Sequence, residues 1–298
     1  MKTRWSFIHM TAIDRVLTYG RMIKFSHSVF ALPFALTGAL LASLRASVTG
    51  HHVLWIVVAM VGARSAAMGF NRLVDRRIDA ANPRTRNREL PSGVISVPAV
   101  AAFIALSSAT LVFASYKLNP LCLALSPVAL VIIFLYSFTK RFTWASHAFL
   151  GLALSVAPIG AWIAVRGTLD PVVLLLGAAV LAWVAGFDII YACQDYEFDV
   201  QSGLRSIPQR LGLRRALIVA RLLHLVAFGL LLALKFLFDL NGLYLAGVLL
   251  VGAILVYEHR LVRHDDLSRV NAAFATMNGI LSVTYFVFTL GDVLILKG

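Results

Sequence analysis

Two nine-residue windows of the sequence share one spacing, and the matched positions hold four of its fourteen acidic residues. The first window carries Asn71, Asp75 and Asp79 at four-residue steps, and the second carries Tyr191, Asp195 and Asp199. Because a helix turns by about 100° per residue, side chains four and eight positions apart share one narrow stripe. Oxygen ligands without His or Cys favour Mg2+, which combines a few carboxylates with substrate phosphates. The windows therefore predict a magnesium–diphosphate site made by two helices.

Asp188 extends the second window toward the N-terminus. On one continuous helix, the side chains of Asp188, Tyr191, Asp195 and Asp199 would fall within about 80° of arc. Asp188 lies deepest in an apolar segment, where a charge is costly unless it is paired or bound to metal. Surface polarity alone would explain one acidic helix end, but it is the weaker interpretation of two matching stripes.

Basic side chains accompany both windows. Arg64 lies seven residues before Asn71, on nearly the same helical face and in the middle of an apolar segment. An unpaired cation there costs at least ~2.5–3.5 kcal/mol, so Arg64 forms a structural ion pair or binds an anion, and we favour the anion. The other candidate diphosphate or substrate ligands are Arg84, Arg86, Arg88, Tyr136, Lys140 and Arg141. Retention of positive charge on one membrane face, or an interfacial Tyr, would explain each of these equally well.

The composition indicates an integral membrane protein. Of 298 residues, 60% are hydrophobic and 14% are charged, with a mean hydropathy of +0.84, whereas soluble domains carry about 25% charged residues. The net charge of +13 would suggest nucleic acid in a soluble protein. Here the basic residues lie between apolar runs, so they indicate membrane topology and anionic substrates, with no nucleic acid as partner.

Nine apolar segments approach the ~20 residues that a spanning helix needs. Their predicted bounds are 25–45, 52–79, 96–116, 119–138, 145–165, 171–199, 213–235, 240–258 and 269–295. The sequence therefore predicts an all-α, multi-pass bundle of nine transmembrane helices in the lipid bilayer. We expect a single domain over residues 1–298.

The distribution of Lys and Arg predicts the orientation of the bundle. With the N-terminus in the cytoplasm, twenty of the 27 Lys and Arg residues fall in inner segments and five in outer ones. This is the bias of a protein of the cell inner membrane whose C-terminus lies outside. The second and sixth segments then run in the same direction, which places both acidic windows at the cytoplasmic face and suggests a parallel internal repeat.

These residues resemble the UbiA family of intramembrane aromatic prenyltransferases. The resemblance is carried by residues 71–79, 84–93, 136–141 and 188–199, in that order, and extends over essentially the whole chain. It implies a helical bundle around a central cavity and transfer of a prenyl group from polyprenyl diphosphate to an aromatic acceptor. It also implies two Mg2+ ions that bridge the diphosphate to Asn71, Asp75, Asp79, Asp195 and Asp199.

The identity of the acceptor stays open at this point. Residues 188–199 look like the 4-hydroxybenzoate polyprenyltransferase branch, which serves ubiquinone biosynthesis. Residues 24–33 are more similar to homologues of an alternative menaquinone route with a different aromatic acceptor. A non-aromatic acceptor and a membrane transporter are the remaining alternatives, since intramembrane acids also mark ion routes. In the implied reaction, Tyr191 or Tyr136 would stabilise a carbocation, and Asp188 would hold the acceptor or take its proton.

Overall fold

The computed structural model describes residues 11–24 and 28–297, and this part of the chain is built of helices. The α-helices are α1 Ala12–Met22, α2 Ser28–Ala42, α3 Gly50–Ala81, α4 Val97–Leu118, α5 Pro120–Thr139, α6 Ser146–Arg166, α7 Pro171–Ala192, α8 Tyr196–Ser202, α9 Ile207–Leu237, α10 Gly242–Leu261 and α11 Asn278–Lys297. A 3-10 turn, Cys193–Asp195, joins α7 to α8, and a π-helical stretch, Ala272–Met277, precedes α11.

Eight helical stretches within the described residues are long and apolar enough to cross a membrane. They are α3, α4, α5, α6, α7 with α8, α9, α10, and the π stretch with α11. The first predicted segment, 25–45, corresponds to α2, which has 15 residues and is therefore shorter than a usual span. Residues 25–27, where that segment was predicted to begin, lie outside the described part. The prediction of an all-α, multi-pass bundle is confirmed.

Asn119 separates the third and fourth predicted segments. Its backbone is extended, and its side chain accepts a hydrogen bond from the amide of Cys122 at 2.8 Å, which caps α5. Pro120 follows at the first helical position, where it needs no hydrogen-bonded N–H. The amide of Asn119 also donates to the carbonyl of Ile163 on α6 at 2.9 Å. One residue thus ends α4, starts α5 and ties both to a third helix.

α7 lies at the centre of the bundle. The spanning window of α7 is 72% buried, compared with 22–44% for the other seven. Small residues let neighbouring helices approach closely: a Cβ atom on Gly151 of α6 would lie 2.4 Å from the carbonyl oxygen of Leu181 on α7. The central position of α7 explains why the second acidic window, at its end, can meet residues from several other helices.

The second acidic window differs from its prediction. The stretch Pro171–Ser202 is long and apolar enough to form one span, but the continuous α-helix expected over residues 171–199 is interrupted, because α7 ends at Ala192 and Asp199 belongs to α8. The intervening 3-10 turn advances by about 120° per residue instead of 100°. Residues after the turn are therefore rotated relative to the positions that one ideal helix would give them. The first window is confirmed as one helical face, since α3 runs unbroken through Asp79 and ends just before Pro83.

α1 was not anticipated from the polar, basic start of the sequence. Thr11 and Asp14 form a reciprocal capping box, which starts the helix. At the other end, the carbonyls of Met22 and Lys24 accept hydrogen bonds from arginines of α3, and these bonds fix the end of α1 beside the longest helix. Lys24 is thereby placed close to the acidic windows.

Candidate active site

A cavity of about 690 Å³ runs along the interior of the bundle. Its wall on α3 extends from Ile56, near the start of the helix, to Asp79, near its end, and its wall on α6 extends from Ser146 to Ile163. Among the described residues, five carboxylates and six Lys or Arg side chains line the cavity, and they gather toward the end of α3. The remaining wall is mostly apolar. The cavity therefore has a charged end and a long apolar body.

The two acidic windows meet at the charged end. The amide of Asn82 donates to Asp195 Oδ1 at 3.0 Å. Arg84 donates to both carboxylate oxygens of Asp195, through Nε at 2.9 Å and Nη2 at 2.5 Å. Asn82 and Arg84 directly follow α3, and Asp195 directly follows α7, so both helices end at the same end of the bundle. This agrees with the parallel direction predicted for the two segments.

Asp75 is the most crowded of the carboxylates. Lys140 donates to Asp75 Oδ2 at 2.5 Å, Arg141 donates to Oδ1 at 2.8 Å, and the amide of Asn71 donates to Oδ2 at 3.2 Å. Only 3% of the Asp75 side chain is exposed, and the two cations offset the free-energy cost of burying its charge. The loop after α5 is thus attached to the first acidic window.

Asp79 keeps one oxygen without a partner. Arg88 donates to Asp79 Oδ1 at 2.7 Å, and Arg72 lies 3.8 Å from Oδ2. Among the described residues, Oδ2 is buried and accepts no hydrogen bond. A buried carboxylate oxygen without a partner is unfavourable, and it is available to a ligand in the cavity. The sequence did not indicate Arg72 as a site residue. It directly follows Asn71, and it was counted only among the basic residues that predict membrane orientation.

Tyr191 is held between cations. Arg84 Nη1 donates to the Tyr191 hydroxyl at 2.8 Å, and the Lys24 ammonium lies 5.7 Å from the ring centroid. Burial opposes the charge on Arg84, but its hydrogen bonds to Asp195 and Tyr191 outweigh that cost and raise its pKa above the usual value. Burial lowers the pKa of Lys24, and repulsion from Arg72 adds to the effect, although Tyr191 partly opposes it.

Arg64 lines the cavity and has no carboxylate partner among the described residues. Its Nη2 donates to the carbonyl of Lys24 at 3.2 Å, and its Nε is buried without a hydrogen-bond acceptor in the described part of the chain. The sequence left open a structural ion pair or the binding of an anion, and the described residues form no such ion pair. The unused donor suits an anionic ligand.

Asp188 forms a pair with a histidine that the sequence did not single out. The Nδ1 atom of His147 lies 2.7 Å from Asp188 Oδ2, and the amide of Ile207 donates to His147 Nε2 at 3.3 Å. Because Nε2 accepts, the imidazole proton sits on Nδ1 and is donated to Asp188. His147 is 3% exposed. No spacing links residues 147 and 188, so only the packing of α6 against α7 could reveal the pair.

The remaining candidate residues differ in whether they line the cavity. Tyr136 and Asp199 line the cavity, and Asp199 accepts a hydrogen bond from the Ser206 hydroxyl at 2.9 Å. Arg141 reaches the site only through its ion pair with Asp75. Arg86 is exposed and is not part of the cavity wall. Its assignment as a substrate ligand stays a prediction, and the geometry favours its loop neighbours.

The donor set fits Mg2+ shared with a substrate. Within the described residues, no group of three or more His, Cys, Asp or Glu side chains lies close enough to form a metal cage. The carboxylates are instead separated by the cations that neutralise them. Mg2+ needs only one or two carboxylates when phosphate and water oxygens complete its coordination. The oxygen-only donors and the free Asp79 Oδ2 meet that requirement.

The acids do not form a route across the membrane. All five described carboxylates of the cavity wall, Asp75, Asp79, Asp188, Asp195 and Asp199, lie toward one end. A proton or cation route would require polar groups along the apolar body as well. The geometry therefore favours binding of one amphiphilic ligand over transport.

Comparisons with known proteins agree with this geometry. Residues 31–280 match the UbiA prenyltransferase family. The 4-hydroxybenzoate octaprenyltransferase of Vibrio vulnificus is 30% identical over 270 residues, which are 90% of this chain and 94% of the relative. The enzyme of the same name from Nitrosomonas europaea is 32% identical over 284 residues, covering 93% and 95%.

Solved structures show the same fold. The apo structure of a UbiA homolog from Aeropyrum pernix K1 superposes with a TM-score of 0.78 at 31% identity, over 91% of this chain and 98% of the homolog. A UbiA homolog from Archaeoglobus fulgidus, bound to DMAPP and Mg2+, gives a TM-score of 0.74 at 21% identity, over 93% and 99%. The second likeness is a likeness of fold alone.

Proposed function

The chain belongs to the UbiA prenyltransferase family, and from that premise we propose that it transfers a polyprenyl group from a polyprenyl diphosphate to an aromatic acceptor. The first acceptor that we propose is 4-hydroxybenzoate, after the names of the two bacterial relatives. The reaction depends on Mg2+ and serves quinone biosynthesis. The observation that carries the proposal is the cavity itself, in which five carboxylates and six cations adjoin a long apolar body.

The charged end suits a diphosphate. Arg84, Arg88 and Lys140 donate to the carboxylates at 2.5–2.9 Å. The same donors bind phosphate oxygens well, Arg by its planar fork and Lys as a point charge. An incoming diphosphate with its Mg2+ replaces the interactions that these cations make with Asp195, Asp79 and Asp75. The site thus exchanges one set of charge pairs for another.

The apolar body suits a polyprenyl tail. Its wall includes Ile56, Leu111, Leu125, Ile133, Ile159 and Ile163. Removal of apolar surface from water is worth roughly 25 cal/mol per Å², so the wall both binds the tail and excludes water. Exclusion of water matters because a carbocation would react with it.

Mg2+ would be held by Asn71, Asp75 and Asp79 of α3 and by Asp195 and Asp199. When bound, it would act as a Lewis acid that neutralises the leaving diphosphate.

The chain's own groups support each bond change. The allylic C–O bond breaks, and its electron pair leaves with the diphosphate, where Arg84, Arg88 and Lys140 stabilise the growing charge. The acceptor ring then forms a C–C bond to the allylic carbon and loses one proton. The Tyr191 or Tyr136 ring stabilises the cation between these steps.

The acceptor lies between Arg64 and Asp188 in this proposal. The free Nε of Arg64 suits the carboxylate of a hydroxybenzoate. Asp188, oriented by His147, accepts the proton that the ring releases. We further propose that the charged end faces the cytoplasm of the cell inner membrane, where the positive-inside bias would place it.

An acceptor panel tests the proposal. Purified protein in lipid nanodiscs is given labelled polyprenyl diphosphate, Mg2+ and one acceptor at a time: 4-hydroxybenzoate, a bicyclic hydroxynaphthoic acid, a tetrapyrrole, or none. We expect a prenylated product that needs both Mg2+ and 4-hydroxybenzoate. A product with the naphthoic acid alone would establish the menaquinone-type alternative that residues 24–33 favour. No product from any acceptor, with folded protein and intact diphosphate, would contradict prenyl transfer altogether.

A further inference from the structure

A buried polar cluster lies behind the aromatic wall of the cavity, and the proposed reaction does not use it directly. Its centre is Asn278, the first residue of α11, which is fully buried. The indole N–H of Trp183 donates to Asn278 Oδ1 at 2.6 Å. The Asn278 amide donates to Glu258 Oε1 at 3.0 Å. Three helices, α7, α10 and α11, therefore meet at one side-chain amide.

The side-chain amide of Asn278 also forms hydrogen bonds with the π-helical stretch that precedes it. Nδ2 of Asn278 lies 3.1 Å from the carbonyl oxygens of both Ala273 and Phe274. A π turn replaces the usual hydrogen bonds by longer i→i+5 ones and inserts one residue, which is costly unless the surroundings hold it. The side chain supplies additional donors to this turn. Asn278 therefore fixes the conformation of the segment that carries Phe274.

Phe274 in turn contacts the proposed reaction centre. Its ring centroid lies 4.2 Å from that of Tyr191 and 5.4 Å from that of Phe187, and all three side chains line the cavity. On the opposite side, the Tyr191 hydroxyl accepts from Arg84. The Tyr191 ring is thus held by Arg84 at its hydroxyl and by Phe274 at its ring.

The two clusters share one helical register. Trp183, Phe187 and Tyr191 follow one another at four-residue steps on α7, and Phe274 and Asn278 are four residues apart across the start of α11. The hydrogen bond between Trp183 and Asn278 fixes the π stretch against α7. It therefore sets the position of Phe274 relative to Phe187 and Tyr191, which lie one and two turns after Trp183 on α7. A loss of that bond would let the π stretch move relative to α7.

We infer that Asn278 is a positioning residue, which acts through the π turn and Phe274 to hold the Tyr191 ring in place at the reaction centre. The inference rests on the proposed prenyl transfer. A developing allylic cation is present in the transition state and not in the bound substrate, so an interaction with a ring face lowers the barrier without tightening substrate binding. Misplacement of the ring should consequently appear in kcat and not in KM.

The test compares Asn278→Leu with Thr289→Val in nanodiscs, under the conditions of the acceptor panel. Thr289 is a matched control, because it is fully buried on the same helix and its hydroxyl donates only within α11. We expect Asn278→Leu to lower kcat about tenfold while KM for the prenyl diphosphate changes by less than about twofold. Thr289→Val should retain both parameters. Lower yield with unchanged kcat for Asn278→Leu would overturn the inference, because it would show a purely structural role.

A double-mutant cycle with Phe274→Leu tests the route of the effect. If Asn278 acts through Phe274, the double variant should lose no more kcat than the stronger single variant. Additive losses would overturn that route. If Asn278→Leu does not fold, Trp183→Phe is tested in its place. This variant removes the hydrogen bond to Asn278 but keeps an aromatic ring at position 183. A kcat equal to that of the wild-type protein would overturn the inference. A wild-type protein without prenyl transfer would instead contradict the proposed function, which the acceptor panel detects separately.

Discussion

Arg84 holds Asp195 by two hydrogen bonds, at 2.9 and 2.5 Å, across 111 positions of sequence. Arg84 lies just after α3, and Asp195 lies just after α7, so this pair joins the second acidic window to the loop that follows the first. The same guanidinium also donates to the Tyr191 hydroxyl. A group that neutralises a carboxylate in the free protein can pass to phosphate when substrate enters.

Metal dependence follows from the oxygen-only donors. We expect prenyl transfer to require Mg2+ or Mn2+ and to stop with EDTA. Asp75→Asn and Asp195→Asn should each lower kcat/KM by about 100-fold or more, which corresponds to about 2.7 kcal/mol. Asp265→Asn is the control, because that acid is exposed and pairs with Arg263 outside the cavity. Full activity of either cavity variant in folded protein would exclude the proposed metal ligands.

Arg84 and Arg86 share a loop but differ in position. Arg84→Ala removes a charged donor from the cavity and should raise KM for the prenyl diphosphate by about tenfold, because a charged hydrogen bond is worth ~1.5–3 kcal/mol. Arg86→Ala should have a smaller effect, since its exposed side chain lies outside the cavity wall and its charge is screened by solvent. Steady-state kinetics on both variants checks this. An equal or larger effect at Arg86 would show that the loop rearranges around the substrate.

Arg64→Ala distinguishes binding from stability. If Arg64 binds a substrate anion or positions an acid, kcat/KM should fall by about tenfold or more, which is the effect of one lost charged hydrogen bond. Detergent-solubilised yield and kcat/KM are measured on the same preparation. Reduced yield with an intact kcat/KM would assign Arg64 to folding and remove it from the site.

His147 should matter through the hydrogen that it donates to Asp188. His147→Leu leaves Asp188 without that donor and should lower kcat by about tenfold or more. His147→Asn retains a side-chain N–H near the position of Nδ1 and should recover part of the loss. We expect the order wild type, Asn, Leu in kcat at saturating substrate. If both variants are equally impaired or equally active, the hydrogen bond to Asp188 is not what the reaction uses.

Membrane orientation is testable by cysteine labelling. In a background of Cys122→Ala and Cys193→Ala, Arg86→Cys should react with an impermeant maleimide only from the cytoplasmic side. Ser47→Cys, in the loop between α2 and α3, should react only from the opposite side. Right-side-out vesicles expose the outer face of the membrane to the reagent, and inverted vesicles expose the cytoplasmic face. Labelling of position 86 from outside would reverse the orientation that the Lys and Arg distribution predicts.

Local patterns of the sequence were sufficient for much of the fold. Helix α3 places Asn71 and Asp75 side by side, with a hydrogen bond of 3.2 Å, because the period of a helix is a property of the backbone alone. Asn82 and Pro83 end that helix as their conformational preferences require. The positions of the apolar segments likewise follow from the length needed to cross a membrane. α1 was missed because its amphipathic pattern is short and lies in a basic stretch.

The partners of the site residues were decided only by the tertiary structure. Lys140 meets Asp75 across 65 positions, and His147 meets Asp188 across 41. No periodicity relates such residues, because their distance depends on how α5 packs against α3 and how α6 packs against α7. The 3-10 turn between α7 and α8 and the π stretch that carries Phe274 are likewise features that the pattern of apolar and polar residues did not predict. The sequence by itself determined which residue types gather at helix ends, and packing determined which of them touch, because contacts between distant segments are set by the complete bundle.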